Sequence, residues 1–70
     1  MIDPILSSRE KRLLRRLGRG YSDLKIAAEL GGRADQISDQ RKRLLEKLRV
    51  NSQIEIGEAA VRLAPYPTPK

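Results

Sequence analysis

Seventy residues allow one domain, and a chain this short buries only about 60% of the surface its unfolded form exposes, so its stability margin is thin. It holds no cysteine and no histidine, which excludes disulfides and thiolate or imidazole metal sites. Fifteen Lys/Arg against nine Asp/Glu give a net charge of +6, which points to an anionic partner: nucleic acid first, an acidic membrane or protein surface second.

Residues 1–5 read as an N-terminal extension, without the basic and apolar regions of a signal peptide. Helix signals begin at Ser7-Ser8-Arg9-Glu10, a capping box in which Ser7 and Glu10 can satisfy each other's free backbone N–H groups. Leu13, Leu14 and Leu17 then share one arc at roughly 100° per residue. Arg9, Lys11, Arg12, Arg15, Arg16 and Arg19 fall on the opposite arc. Gly18 and Gly20 are expected to end this strongly amphipathic helix. Its basic arc is expected to be the solvated face opposite the leucines; a phosphate backbone or an acidic protein is the alternative use.

Ser22-Asp23 offers an N-cap and a first-turn acid for a second, short helix with Leu24, Ile26, Ala27 and Leu30 as its apolar pattern. Gly31-Gly32 stops it. A third helix is expected from about Asp35 to Arg49, with Ile37, Leu44, Leu45 and Leu48 facing inward. Ser52 and Glu55 form a second capping box and open a fourth helix that runs to about Ala64. Pro65, Pro67 and Pro69 make residues 65–70 an extended or flexible tail.

Four helices, with a Gly-Gly turn before a long and basic third, predict an all-α helix-turn-helix domain over residues 6–64. Many small helical bundles share so coarse a pattern. More specific are the residues themselves, which over Leu6 to about Leu63 resemble the LuxR/GerE-type DNA-binding domain of bacterial transcription regulators. That family opens with Leu-Thr-x-Arg-Glu, and this chain has Leu6-Ser7-Ser8-Arg9-Glu10. Its apolar positions and Gly-x-Ser turn match Leu13, Leu14, Leu17 and Gly20-Tyr21-Ser22. Its Ile-Ala-x-x-Leu matches Ile26-Ala27-Ala28-Glu29-Leu30, and its Lys-Leu-Gly-Val matches Lys47-Leu48-Arg49-Val50. All fall in one ungapped register.

There are also departures. Where the family writes an apolar residue and Ser before the third helix, this chain has Gly32-Arg33, which removes a core side chain and a helix cap. Where it writes Thr-Val-Lys-x-His, this chain has Gln36-Ile37-Ser38-Asp39-Gln40, keeping only the buried apolar residue. The scaffold is retained and the reading surface is rewritten.

The resemblance implies that the third helix enters the major groove of double-stranded DNA, with Ser38, Asp39 and Lys42 facing base edges. Lys42 suits guanine O6/N7, Ser38 can donate or accept, and Asp39 can accept from cytosine N4. Lys25, Arg33, Gln36, Gln40, Arg41 and Arg43 are the candidate phosphate contacts. The competing reading is an ordinary solvated helix, since Asp39–Arg43 and Lys42–Glu46 are i,i+4 charge pairs.

On the fourth helix Ile56, Ala59, Ala60 and Leu63 form one apolar face for the domain. Ile54, Gly57, Val61 and Ala64 form a second, expected to build a homodimer as the family's fourth helix does. No constellation of a nucleophile and base or of metal ligands can be assembled, so neither an enzyme nor a cofactor is expected. With only Tyr21 and Tyr66 as aromatics, single-strand and RNA modules are disfavoured. No apolar run approaches the roughly 20 residues of a membrane span, and a soluble, cytoplasmic regulator is expected. The rival is a degenerate helix-turn-helix that binds protein, as an anti-activator or an adaptor on transcription machinery. An upstream regulatory domain is a further candidate partner.

Overall fold

A computed structural model describes residues 5–65, so most of the expected extension and tail lies outside the described residues. The fold is all-α: α1 (Ser8–Gly18), α2 (Asp23–Leu30), α3 (Ala34–Leu48) and α4 (Gln53–Leu63), with no strand among the described residues. α1 lies most extensively against α4, and α2 against α3.

α1, α2 and α4 each start where a serine side chain accepts from an exposed first-turn N–H group. At α1 the capping box closes in both directions: Ser7 Oγ accepts from Glu10 N–H at 3.1 Å, and the Glu10 carboxylate accepts from Ser7 N–H at 2.9 Å. Ser22 Oγ accepts from Lys25 N–H at 3.2 Å to open α2. At α4 the expected box is only half made. Ser52 Oγ accepts from Glu55 N–H at 3.2 Å, but Glu55 accepts from the Ser52 hydroxyl and from Asn51 N–H instead of closing on Ser52 N–H. α3 has no acceptor at its cap, because Arg33 carries only donors. Gln36 Oε1 accepts from Arg33 N–H at 3.0 Å, which supplies the other half of a box.

Gly18 is the last helical residue of α1, as expected. The helix closes two residues later, where Tyr21 N–H donates to Arg16 O, Gly20 N–H donates to Leu17 O, and Gly20 takes φ 78°. Gly18 also lets α4 approach: a Cβ there would stand 2.9 Å from the Ala60 Cβ and 3.6 Å from the Gly57 Cα. α3 closes with the same pair of bonds, Val50 N–H to Leu45 O and Arg49 N–H to Glu46 O. Its left-handed residue, however, is Arg49, at φ 57° and ψ 42°.

The core collects Leu13, Leu14 and Leu17 of α1, Ile26 and Ala27 of α2, Ile37 and Leu44 of α3, and Ile56, Ala59 and Ala60 of α4. Leu45, Leu48 and Leu63 pack against it half-buried. Leu24, counted with the apolar pattern of α2, is 74% exposed. It stands two residues before Ile26, about 200° round the helix and so on the far side from the core.

Candidate nucleic-acid interface

α2, the turn at residues 31–33 and α3 form a helix-turn-helix unit, and α1 and α4 back it. Ile37 and Leu44 fix the inward face of α3, which turns Asp35, Asp39, Lys42, Arg43 and Glu46 outward and exposed, with Ser38 half-exposed beside them. The candidate base-reading residues Ser38, Asp39 and Lys42 are thus brought onto one stripe. Two cations, Lys42 and Arg43, stand among three carboxylates, Asp35, Asp39 and Glu46, so the stripe itself carries no positive excess.

The candidate phosphate contacts divide. Lys25, Arg33 and Arg43 are exposed. Lys25 Nζ rests 4.3 Å from the centroid of the Tyr21 ring, and Arg33 meets both carboxylate oxygens of Asp35 at 3.2 and 3.0 Å. Such exposed pairs contribute at most about 1 kcal/mol, so either cation can be redirected to a phosphate. Arg41 is committed elsewhere. Its Nη2 lies 3.5 Å from Asp23 Oδ2 at the start of α2 and donates to Ser38 Oγ at 3.2 Å, clamping the two helices of the unit together. The second Asp23 oxygen is buried with no hydrogen-bond partner, so Arg41 is the cation that compensates this carboxylate. Gln40 Oε1 accepts from Arg9 Nε at 3.3 Å, and Gln36 Oε1 serves the α3 cap. In both, the amide oxygen is spent inside the domain and the NH2 group remains the end with donors to give.

On the basic arc of α1, Arg9, Arg15 and Arg16 are not simply solvated. Arg9 donates to Leu30 O and Gly31 O at the end of α2 as well as to Gln40 on α3. Arg16 meets Glu29 of α2 at 2.7 Å, and Arg15 donates to Ala64 O and Pro65 O at the end of α4, at 2.8 and 3.0 Å. Glu10 accepts from Lys47 of α3 at 3.4 Å. The Ser7 N–H, with Lys47 beside it, holds the Glu10 carboxyl below the usual carboxylate range despite some burial. For Arg9 and Glu10 a signal was present, since they are the two charged residues of the opening Leu-x-x-Arg-Glu match.

The second apolar face expected on α4 is not one surface. Ile54 and Val61 are 77% and 76% exposed, but Ala64 is 1% exposed and Gly57 lies against Gly18. At 100° per residue Gly57 and Ala64 fall beside Ala60, on the flank that α1 covers. The exposed stripe therefore shrinks to Ile54 and Val61.

This architecture is that of a four-helix, helix-turn-helix domain of the DNA-binding class. The GerE family model, bacterial regulatory proteins of the luxR family, matches residues 4–60, and the chain belongs to that family. It is a DNA-binding domain of a transcription regulator, and the family is a regulatory one, not a family of enzymes. No curated protein and no solved structure matches the chain. Among the described residues no helix is long and apolar enough to cross a membrane.

Proposed function

We propose that the chain acts in the cytoplasm as a sequence-specific regulator that lays α3 in the major groove of duplex DNA. The observation that carries this reading is the position of Lys42, exposed at the middle of the outward stripe, on a helix clamped to α2 by Arg41 and to α1 by Gln40. A helix held at both faces presents its reading residues with little entropy left to lose. Lys42 donates to guanine O6/N7. Ser38, whose oxygen already accepts from Arg41, keeps its proton to donate to a base acceptor. Asp39 accepts from cytosine N4, which would offset its repulsion by phosphates. Arg43, Lys25 and Arg33, with the NH2 groups of Gln36 and Gln40, hold the backbone. Arg41 is withdrawn from that set, because its guanidinium is the link between α2 and α3.

Ile54 and Val61 support a homodimer through α4, smaller than the four-residue stripe of the sequence reading. A two-fold axis there sets two α3 helices into successive major grooves and calls for a pseudo-palindromic site with half-sites about 10 bp apart.

A second reading is favoured by the carboxylates Asp35, Asp39 and Glu46 on the same stripe: a helix-turn-helix that has given up DNA for a protein partner. Titration of the chain against pooled random duplexes at about 50 and 200 mM salt decides between them. DNA binding predicts an affinity whose logarithm falls with log salt. No binding at the lower salt hands the function to the protein-binding reading.

A further inference from the structure

The back of the domain carries exposed positive charge on α1. Glu10, Asp23, Glu29 and Asp35 each have a cation within 3.5 Å. On the outward arc of α1 Lys11 and Arg12 are exposed, and the helix's one acid, Glu10, is turned to Ser7 and Lys47. α1 meets α3 through Arg9, Glu10 and the core, so this arc points away from α3 and from any duplex lying along it. Beside the arc, toward the end of α1, an open groove of about 320 Å³ runs between α1 and α4. Gly18, Ala60 and Ala64 make it shallow and apolar, Val61 and Pro65 border it, and Arg15 ties the end of α4 across it.

We propose that this arc and groove dock an acidic segment of a partner protein. One bulky apolar side chain of the segment fills the groove, and its carboxylates meet Lys11 and Arg12. Lys11 and Arg12 precede Gly18 and Arg19 by seven positions, about 10 Å along the helix at 1.5 Å per residue. An extended peptide covers that span in about three residues. A DNA backbone would satisfy the cations but has no apolar group for the groove. An acidic peptide with one apolar side chain satisfies both.

The probe is a fluorescent peptide of about twelve residues, long enough to cover the span on both sides, with a single Leu and a Glu pair three residues to either side. A control peptide replaces the Leu by Ser. In anisotropy titrations with the full chain, the Leu peptide binds, and the Ser control binds about tenfold more weakly or worse, the loss expected for one unburied large apolar side chain. The exposed double substitution Lys11→Glu/Arg12→Glu weakens the Leu peptide by at least about tenfold, and weakens duplex binding far less, through the lower net charge alone. Absence of peptide binding, equal binding of the Ser control, or a loss of duplex affinity that parallels the peptide loss overturns the proposal. In the last case the arc is a phosphate-backbone surface.

Discussion

Arg49 carries strain at the end of α3. An L-residue in the left-handed region costs roughly 1–2 kcal/mol, and the Lys-Leu-Gly-Val pattern of the family has glycine at this position. Arg49→Gly removes the strain but frees the unfolded chain, so a net gain of about 0.5–1 kcal/mol is expected, read as a higher urea midpoint at unchanged slope. Glu10 makes stability depend on pH in a stated direction. Its carboxyl titrates lower in the folded chain than in the unfolded one, chiefly because Ser7 N–H binds the charged form. The contribution is therefore complete above the unfolded value, roughly 4.3, and is lost as the pH falls through the folded value. Glu10→Gln can keep the cap bond while losing the titration. Urea midpoints of parent and variant should differ at pH 7 and converge toward pH 3. A constant difference would contradict the role given to Glu10.

The close packing of α1 on α4 turns on Gly18. Alanine would add about 0.8–1 kcal/mol of helix propensity, yet its Cβ would stand 2.9 Å from the Ala60 Cβ, on an atom that cannot rotate away. Separating the helices loosens the core around Leu14 and Ala60, and Gly18→Ala is expected to destabilise by about 1–3 kcal/mol. A thermal midpoint unchanged or raised would mean that the two helices separate at no cost. The sequence marked Gly18 only as a helix end, because composition cannot distinguish a glycine needed for its φ from one needed for its missing Cβ. Helix number, order and inward residues were legible, since each helix has its own caps and a 3.6-residue period. The division of the arginines was not. Arg9, Arg15 and Arg16 lie on the outward arc by angle, and long guanidinium side chains still reach carbonyls and carboxylates on neighbouring helices. For the same reason Arg41, outward by sequence, serves as the link to Asp23. The stripe Ser38, Asp39 and Lys42 was legible as a face of α3, because Ile37 and Leu44 fix its rotation.

For the whole molecule, the distribution of charge and of exposed apolar side chains sets the expected assemblies. Ile54 and Val61 form too small a patch for a tight dimer, so DNA must supply much of the association by holding both halves. Ile54→Glu tests this without touching the α1–α4 groove, which Val61 borders and Ile54 does not. The fold and half-site affinity should persist while cooperative protection of a two-half-site duplex disappears in footprinting. Retained cooperativity would move the dimer contact off α4. The claim on which the functional account stands is that α3 reads sequence. It is tested most directly by titrating parent, Lys42→Ala and Arg43→Ala against a duplex selected by the parent and against its single-base variants. Lys42→Ala should lose about 1–3 kcal/mol on the selected duplex and relax the preference at one base pair, while Arg43→Ala weakens every duplex about equally. Equal, sequence-blind losses from both substitutions would contradict the account and remove Lys42 from the reading surface.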